Sequence, residues 1–232
     1  MTAAPVHIGT ARLMLDPSGA LWWPDRKLLV VSDLHLEKGS AAAMRGRHVP
    51  PYDSRATLDR LGRLIGRYRP ARVIALGDTF HDEEGPARLG REERTALTRY
   101  ATDCAFIWVQ GNHDPVPPDL PGKAATVWEE GHITFRHDGG GAGLPEVCGH
   151  CHPKASIETR GQWVTRPCFV TDGRRLMLPA FGAYTGGLDV RDRAIARLFP
   201  RGMRVFLLGR DRLYSFPVAG TRAPSATAAA PC

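Results

Sequence analysis

At 232 residues, with 43% hydrophobic and 24% charged residues, the chain has the apolar content for a substantial core, which excludes a largely disordered polymer. No stretch approaches the ~18 consecutive apolar residues of a membrane span, and the N-terminus shows no basic-then-apolar leader, so a cytoplasmic protein with no membrane partner is expected. The formal net charge is +7, carried by 27 arginines and 4 lysines, which fits genomic composition bias as readily as a polyanionic partner.

In chain order, Val6-His7-Ile8 and Leu13-Met14-Leu15 alternate up to the turn Asp16-Pro17-Ser18-Gly19. With Leu21-Trp22-Trp23 they predict a meander of two or three short strands. Lys27–Val31 follows as an apolar run of the kind that forms a buried strand. Leu58, Leu61, Ile65 and Tyr68 recur at helical spacing opposite Arg60, Arg63 and Arg67, predicting a helix from Asp53 to Tyr68 that stops before Arg69-Pro70. Arg72–Leu76 and Ala105–Val109 read as further buried strands, with a second helix over Arg88–Ala101 between them. Strand, helix, strand, helix, strand is the pattern of a parallel sheet with right-handed crossovers.

Past Asn112 helical periodicity fades. Ala124–Glu129, Ile133–Arg136, Glu146–Cys148, Trp163–Val170 and Arg175–Leu178 are short strand candidates separated by Gly and Pro. Met203–Leu208 and Arg212–Phe216 read as a closing hairpin. So many strands require a second sheet packed on the first. Residues 1–218 are expected to form one domain, and Ala219–Cys232, rich in Ala, Pro, Ser and Thr, a disordered tail. Five cysteines form no organised set; Cys148 and Cys151 have C-x-x-C spacing, read as reduced thiols on or beside a strand, with a redox or zinc motif as the rival.

Four clusters carry the chemistry: Ser32-Asp33-Leu34-His35, Gly77-Asp78-Thr79-Phe80-His81-Asp82, Gly111-Asn112-His113-Asp114 and Gly149-His150-Cys151-His152. The first three follow the predicted parallel strands, and ligands bind at the carboxyl ends of such strands. Carboxylate, carboxamide and imidazole converging there favour a catalytic divalent metal over a structural zinc. In an extended chain, residues two apart point to the same side, so His150 and His152 are expected to face the site together with Cys151 turned away, and Asp33 and His35 likewise.

The clusters and their order, D-x-H, G-D, G-N-H-D, a lone His (His137) and G-H-x-H, resemble the calcineurin-like metallophosphoesterases. The stretches Ser32–Ser40, Val49–Ser54, Gly77–Asp82, Gly111–Pro115 and Leu178–Gly187 resemble most the bacterial ligase-associated DNA damage response endonucleases, the PdeM group. This resemblance implies a four-layer α/β/β/α sandwich and two divalent ions, manganese foremost, with iron, zinc or nickel as alternatives. It assigns Asp33, His35 and His152 to one ion, Asn112, His137 and His150 to the other, and Asp78 as the bridge. It implies hydrolysis of DNA phosphodiesters by in-line attack of a metal-bound hydroxide, in DNA repair alongside a DNA ligase and helicase system.

Several residues are further candidates beside these. His113 is expected to protonate the leaving oxygen, with Asp114 orienting its imidazole or simply shaping a turn before Pro115. His81 is placed to touch a non-bridging phosphate oxygen, with a structural or capping role as the rival. Arg45 and Arg47, in a stretch of eight arginines from Arg45 to Arg72 answered locally only by Asp53 and Asp59, are candidates for the DNA backbone, and the rival is an ordinary solvated face. Tyr184, in the polar loop Gly182–Gly187, is a candidate for base stacking; Trp22 and Trp23 are expected to pack. His7, His48 and His132 are expected to be structural or solvent-facing. A small-molecule phosphoesterase of the same fold, acting on a nucleotide or a phospholipid-linked sugar pyrophosphate, is the alternative. A non-catalytic scaffold sits poorly with an intact donor set.

Overall fold

Alternation builds the first sheet. β1 (Ala4–Ile8) and β2 (Ala11–Leu15) bury every second side chain, and with β3 (Leu21–Trp23) and β4 (Leu28–Ser32) they run antiparallel in chain order. The computed structural model describes residues 2–47, 49–114, 119–141, 145–159 and 161–219. After β4 the mode changes. α1 (Lys38–Met44) and α2 (Asp53–Tyr68) lead to β5 (Arg72–Leu76); α3 (Gly85–Arg88) and α4 (Arg91–Asp103) lead to β6 (Ala105–Val109), and β7 (Lys123–Ala125) completes a seven-stranded sheet. β4, β5, β6 and β7 pair in parallel.

The unbroken apolar runs of β4, β5 and β6 reflect burial on both faces. Val30, Ile74, Leu76 and Val109 point towards the second sheet, while Val31, Val73, Ala75 and Trp108 point towards Leu58, Leu61, Leu64 and Leu97 of α2 and α4. The helical spacing read from Leu58 to Tyr68 gives α2 with the expected bounds. The second helix starts later than expected, at Arg91: Leu89 adopts an extended backbone that drops its side chain into the core, and Gly90 caps α4.

The second sheet comprises β8 (Val127–Glu130), β9 (Ile133–Arg136), β10 (Glu146–Cys148), β11 (Lys154–Thr159), β12 (Gln162–Thr171), β13 (Arg175–Met177), β14 (Met203–Leu208) and β15 (Leu213–Val218). Its order is β15-β14-β12-β13-β10-β9-β8, with β11 paired to β12. β9, β10 and β13 are parallel, so their carboxyl ends share one edge. The run Ala124–Glu129, expected as one strand, is divided at Thr126: β7 belongs to the first sheet and β8 to the second.

Phe135, Val147, Phe169 and Leu176 press against the first sheet, whereas Cys148, Val170, Met177 and Val205 face Ile195 of α5 (Arg193–Ala196) and Phe199. Helices, sheet, sheet and helix make a four-layer α/β/β/α sandwich. Trp23 is buried between the sheets and Trp22 stacks on Tyr68 at 5.0 Å, while His7 and His132 face solvent. His48, Pro115 and the stretch from Gly220 to Cys232, most of the expected tail, lie outside the described residues.

Candidate metal centre and active site

Five parallel strands end at one place. β4 runs into Asp33 and His35, β5 into Gly77-Asp78, β6 into Asn112-His113, β9 into His137 and β10 into Gly149-His150. The ladder between β4 and β5 persists past both strands through His35 N–H to Asp78 O (2.9 Å) and Leu36 N–H to Thr79 O (2.9 Å). From the other side, Phe181 N–H donates to Ser32 O and Gly182 N–H to Asp33 O, which ties the Tyr184 loop to the first sheet. Buried Glu146 accepts from Arg175 Nε (2.6 Å) and from the amides of Gly140 and Gly141, fixing the turn just after His137.

The donors fall into two groups with one member in common. Donor atoms of Asp33, His35, Asp78 and His152 lie within 4.8 Å of one another, and so do those of Asp78, His137 and His150. In the first group His152 Nε2 is 3.2 Å from Asp33 Oδ1 and 3.1 Å from His35 Nε2. In the second, His137 Nε2 is 3.3 Å from Asp78 Oδ2, 3.1 Å from Asn112 Oδ1 and 3.2 Å from His150 Nδ1. All seven residues expected as ligands therefore converge.

Divalent ions fit this donor set. His137 donates Nδ1–H to the Leu76 carbonyl (3.1 Å), which leaves Nε2 facing a carboxylate, a carboxamide oxygen and another imidazole. Lone pairs crowded together in this way call for a cation. Burial opposes charge on His137, yet its bond to Asp78 and the fields of Asp33 and Asp78 lift it to about 9, so a proton meets part of that demand. Burial would raise Asp33, but the His152 and Ser32 hydrogen bonds and the nearby imidazoles bring it below the usual range. Asp78 is treated alike: burial raises it, and His137, the His113 amide and His35 more than reverse that. Burial pushes His35 down to about 3, so its ring is neutral. Ionised carboxylates and neutral imidazoles are the forms that bind metal.

The geometric reason for the convergence differs from the expected one. Asp33, His35, Asp78, His150 and His152 are not extended; all have φ between 43° and 70°, in the left-handed region. Non-glycine residues held there are costly and cluster at functional sites. Cys151 still faces away, against the outer core of the second sheet; Cys148 and Cys151 are free thiols, and burial pushes Cys151 up to about 11. The motif glycines leave room for the donors. A Cβ on Gly77, whose φ is +75°, would strike the His137 ring, and one on Gly149 would strike the Ser32 hydroxyl.

His113 is exposed and donates Nδ1–H to the His81 carbonyl (2.8 Å), leaving Nε2 free. The expected contact between Asp114 and His113 is not formed. Asp114 is buried and turned inward, where its Oδ2 accepts the Phe80 amide (3.0 Å), and burial pushes it up to about 7. It braces the turn after β5 instead of orienting the imidazole. His81 stacks on His113 at 5.3 Å and packs edge-on to His35, and burial lowers its pKa. Arg45 and Arg47 are exposed just past α1, and Arg45 is near enough to act on the charge of His81. Tyr184 is 49% exposed, with φ 57°.

The eight-arginine stretch is less free than its local sequence suggests. Arg55 reaches Glu92 (3.6 Å), Arg67 reaches Asp16 (3.2 Å), Arg72 reaches Glu130 (2.6 Å), and Arg60 lies over the Phe181 ring. Lys38 and Lys154 were missed by sequence reasoning. The charge of Lys38 acts on His35, His81 and Lys154, and Lys154 Nζ donates to the Thr185 carbonyl (3.4 Å). The available signal was scarcity: two of the chain's 4 lysines border the site, against 27 arginines in the chain as a whole.

Fold and site together define a metal-dependent phosphoesterase. The family model for calcineurin-like phosphoesterase matches residues 26–165, and the chain belongs to that family of hydrolases acting on phosphoester bonds, whose fold implies divalent metals. Among solved structures it is similar to the Pseudomonas putida nuclease MPE, at 27% identity and a TM-score of 0.73, covering 92% of this chain and 100% of that one. Yfce, a phosphoesterase from E. coli, aligns at 17% identity and a TM-score of 0.41 over 83% of this chain and 98% of its own. No curated protein matches the chain.

Proposed function

We propose that this chain is a binuclear, manganese-dependent phosphodiesterase that cleaves DNA internally. The observation that carries this reading is the pair of donor groups sharing Asp78. Asp33, His35 and His152 would hold one ion and Asn112, His137 and His150 the other, with Asp78 common to both groups. Bound there, two divalent ions supply Lewis acidity towards the phosphoryl oxygens and lower the pKa of a water. The protein's own groups do the rest. Ser32 and the His150 amide fix the Asp33 carboxylate, and the His113 amide fixes Asp78. His113, pinned through Nδ1, gives the Nε2 proton to the leaving oxygen. His81, beside it, touches a non-bridging oxygen.

DNA as substrate is supported by the similarity to a nuclease and by unpaired cations near the site. Among the described residues Arg45 and Arg47 make no side-chain ion pair, and they grip backbone phosphates, with Tyr184 stacking on a base. Residues 1–218 act as one domain, in the cytoplasm, in repair alongside a DNA ligase and helicase. The test is metal-stripped protein incubated with linear DNA, circular DNA and an aryl phosphodiester across Mn, Mg, Zn and Ni. Manganese-dependent opening of the circle is expected. Turnover of the aryl ester with no cleavage of either DNA would transfer the reading to a small-molecule substrate.

A further inference from the structure

A cavity of ≈ 320 Å³ opens beside the donor set, and His150, Cys151 and His152 form part of its wall. Leu188 and Leu198 are apolar members of the wall, and Asp138 and Arg197 are charged ones. An exposed arginine means little in a chain with 27 of them. Arg197 is distinguished by its place and its lack of a partner. Arg175 and Arg136 are tied to Glu146, and Arg191 to Asp189, whereas among the described residues the Arg197 guanidinium has neither an ion pair nor a hydrogen bond. Asp138 shares the cavity but does not pair with Arg197, so cation and carboxylate are both available to a ligand.

The volume is at the small end of ligand pockets, enough for one nucleotide and too little for a folded domain or a lipid tail. The lining suits that shape: leucines for a sugar or base face, a carboxylate for its hydroxyl or amino hydrogens, and a guanidinium for a phosphate. The cavity shares His150 and His152 with the donor set, so an occupant would lie next to a phosphate held there.

We propose that this cavity is the subsite for the nucleotide adjoining the scissile phosphodiester, and that Arg197 grips that nucleotide's outer phosphate and so favours a polynucleotide over a bare diester. This rests on the reading of the site as a DNA phosphodiesterase. The test compares Arg197→Ala with Arg193→Ala, which removes the same charge from the start of the short helix that Arg197 caps, outside the cavity lining. With manganese-loaded full-length protein, Arg197→Ala should lower kcat/KM on a labelled oligodeoxynucleotide about tenfold, mainly through KM. Turnover of bis(4-nitrophenyl) phosphate, which has no flanking nucleotide, should stay within about twofold. Oligonucleotide binding to the metal-stripped variant, followed by fluorescence anisotropy, should weaken and lose about 0.7 of log–log salt slope. Arg193→Ala should leave all three readouts close to wild type. Equal losses on both substrates, equal losses for the two variants, or no loss at Arg197 would each overturn the assignment. Wild-type protein that hydrolyses the aryl diester but no DNA would fail the underlying reading instead.

Discussion

The floor and the rim of the site are built differently. On the floor, Asp33, His35, Asp78 and His137 are 0%, 2%, 1% and 5% exposed, and three of them are fixed by bonds with neighbours: Asp33 by Ser32, Asp78 by the His113 amide, His137 by the Leu76 carbonyl. On the rim, Asn112, His113 and His150 are exposed, and His113 is anchored through one ring nitrogen with the other free. A buried, pre-aimed floor suits ions that stay bound; an open rim suits a substrate that comes and goes. Damage to the floor should therefore empty the site, whereas damage to His113, the rim residue that is assigned no ion, should leave it loaded but slow.

The largest effect is expected on the floor. Asp78→Ala removes the one carboxylate common to both donor groups, so turnover should fall on the order of 10³-fold or more with both ions lost. Metal content of the purified variant, measured beside its circular dichroism, checks this. A folded Asp78→Ala protein that keeps two ions would end the distinction between floor and rim.

His113→Ala tests the rim. Loss of a general acid costs roughly 10²–10⁴-fold, and metal content should not change. The loss should shrink for an aryl leaving group, which departs as a stabilised anion and has less need of a proton. Equal losses on aryl and alkyl phosphodiesters would give His113 a role in charge stabilisation or positioning.

The sequence exposes residue identity and backbone shape unequally for a physical reason. Residue identity was legible at every donor, because carboxylate, amide and imidazole at strand ends advertise metal chemistry without help from tertiary structure. The parallel sheet was legible too, since strands buried on both faces leave unbroken apolar runs, and so was α2, whose leucines keep one face. Backbone shape at the site was not. Asp33, His35, His150 and His152 are left-handed; the amides of Asp33 and His35 donate to Gly77 and Asp78 beyond β5, and the His150 amide donates to the Asp33 carboxylate, tertiary contacts with no local signature, so the extended reading gave the correct facing for the wrong reason. Asp114 went astray in the same way: its partner is Phe80, 34 residues away, not its neighbour. α1 was hidden by its brevity and by Glu37 in a left-handed turn before it, and β11 by the Pro153 just ahead of it.

A smaller effect separates the rim from the surface beyond it. Replacing both Arg45 and Arg47 by Ala should weaken DNA binding and flatten its log–log salt slope by about 0.7–0.9 for each phosphate that the variant no longer neutralises. Turnover of a small aryl diester should hardly move. Arg55, Arg67 and Arg72 already have acidic partners, so their removal should act on stability more than on DNA affinity. Unchanged DNA affinity in the double variant, with slower small-substrate turnover, would make this stretch a support for the site and its positive charge compositional.

The smallest effect should come from the residue most enclosed by the site in sequence. Cys151 lies between His150 and His152, yet its side chain packs against the outer core of the second sheet and its thiol is pushed up to about 11 by burial, so it is protonated at neutral pH. A protonated thiol is a poor ligand, since metals take the thiolate. Cys151→Ser should therefore keep both ions and turn over within about twofold of wild type, at a stability cost of about 1 kcal/mol or less for a half-buried sulfur. The neighbouring His152→Ala should lose the ion held with Asp33 and His35. If Cys151→Ser folds normally but loses metal as His152→Ala does, the left-handed turn at His150 must aim the thiol into the site, and the boundary between floor and core would have to be redrawn at Cys151.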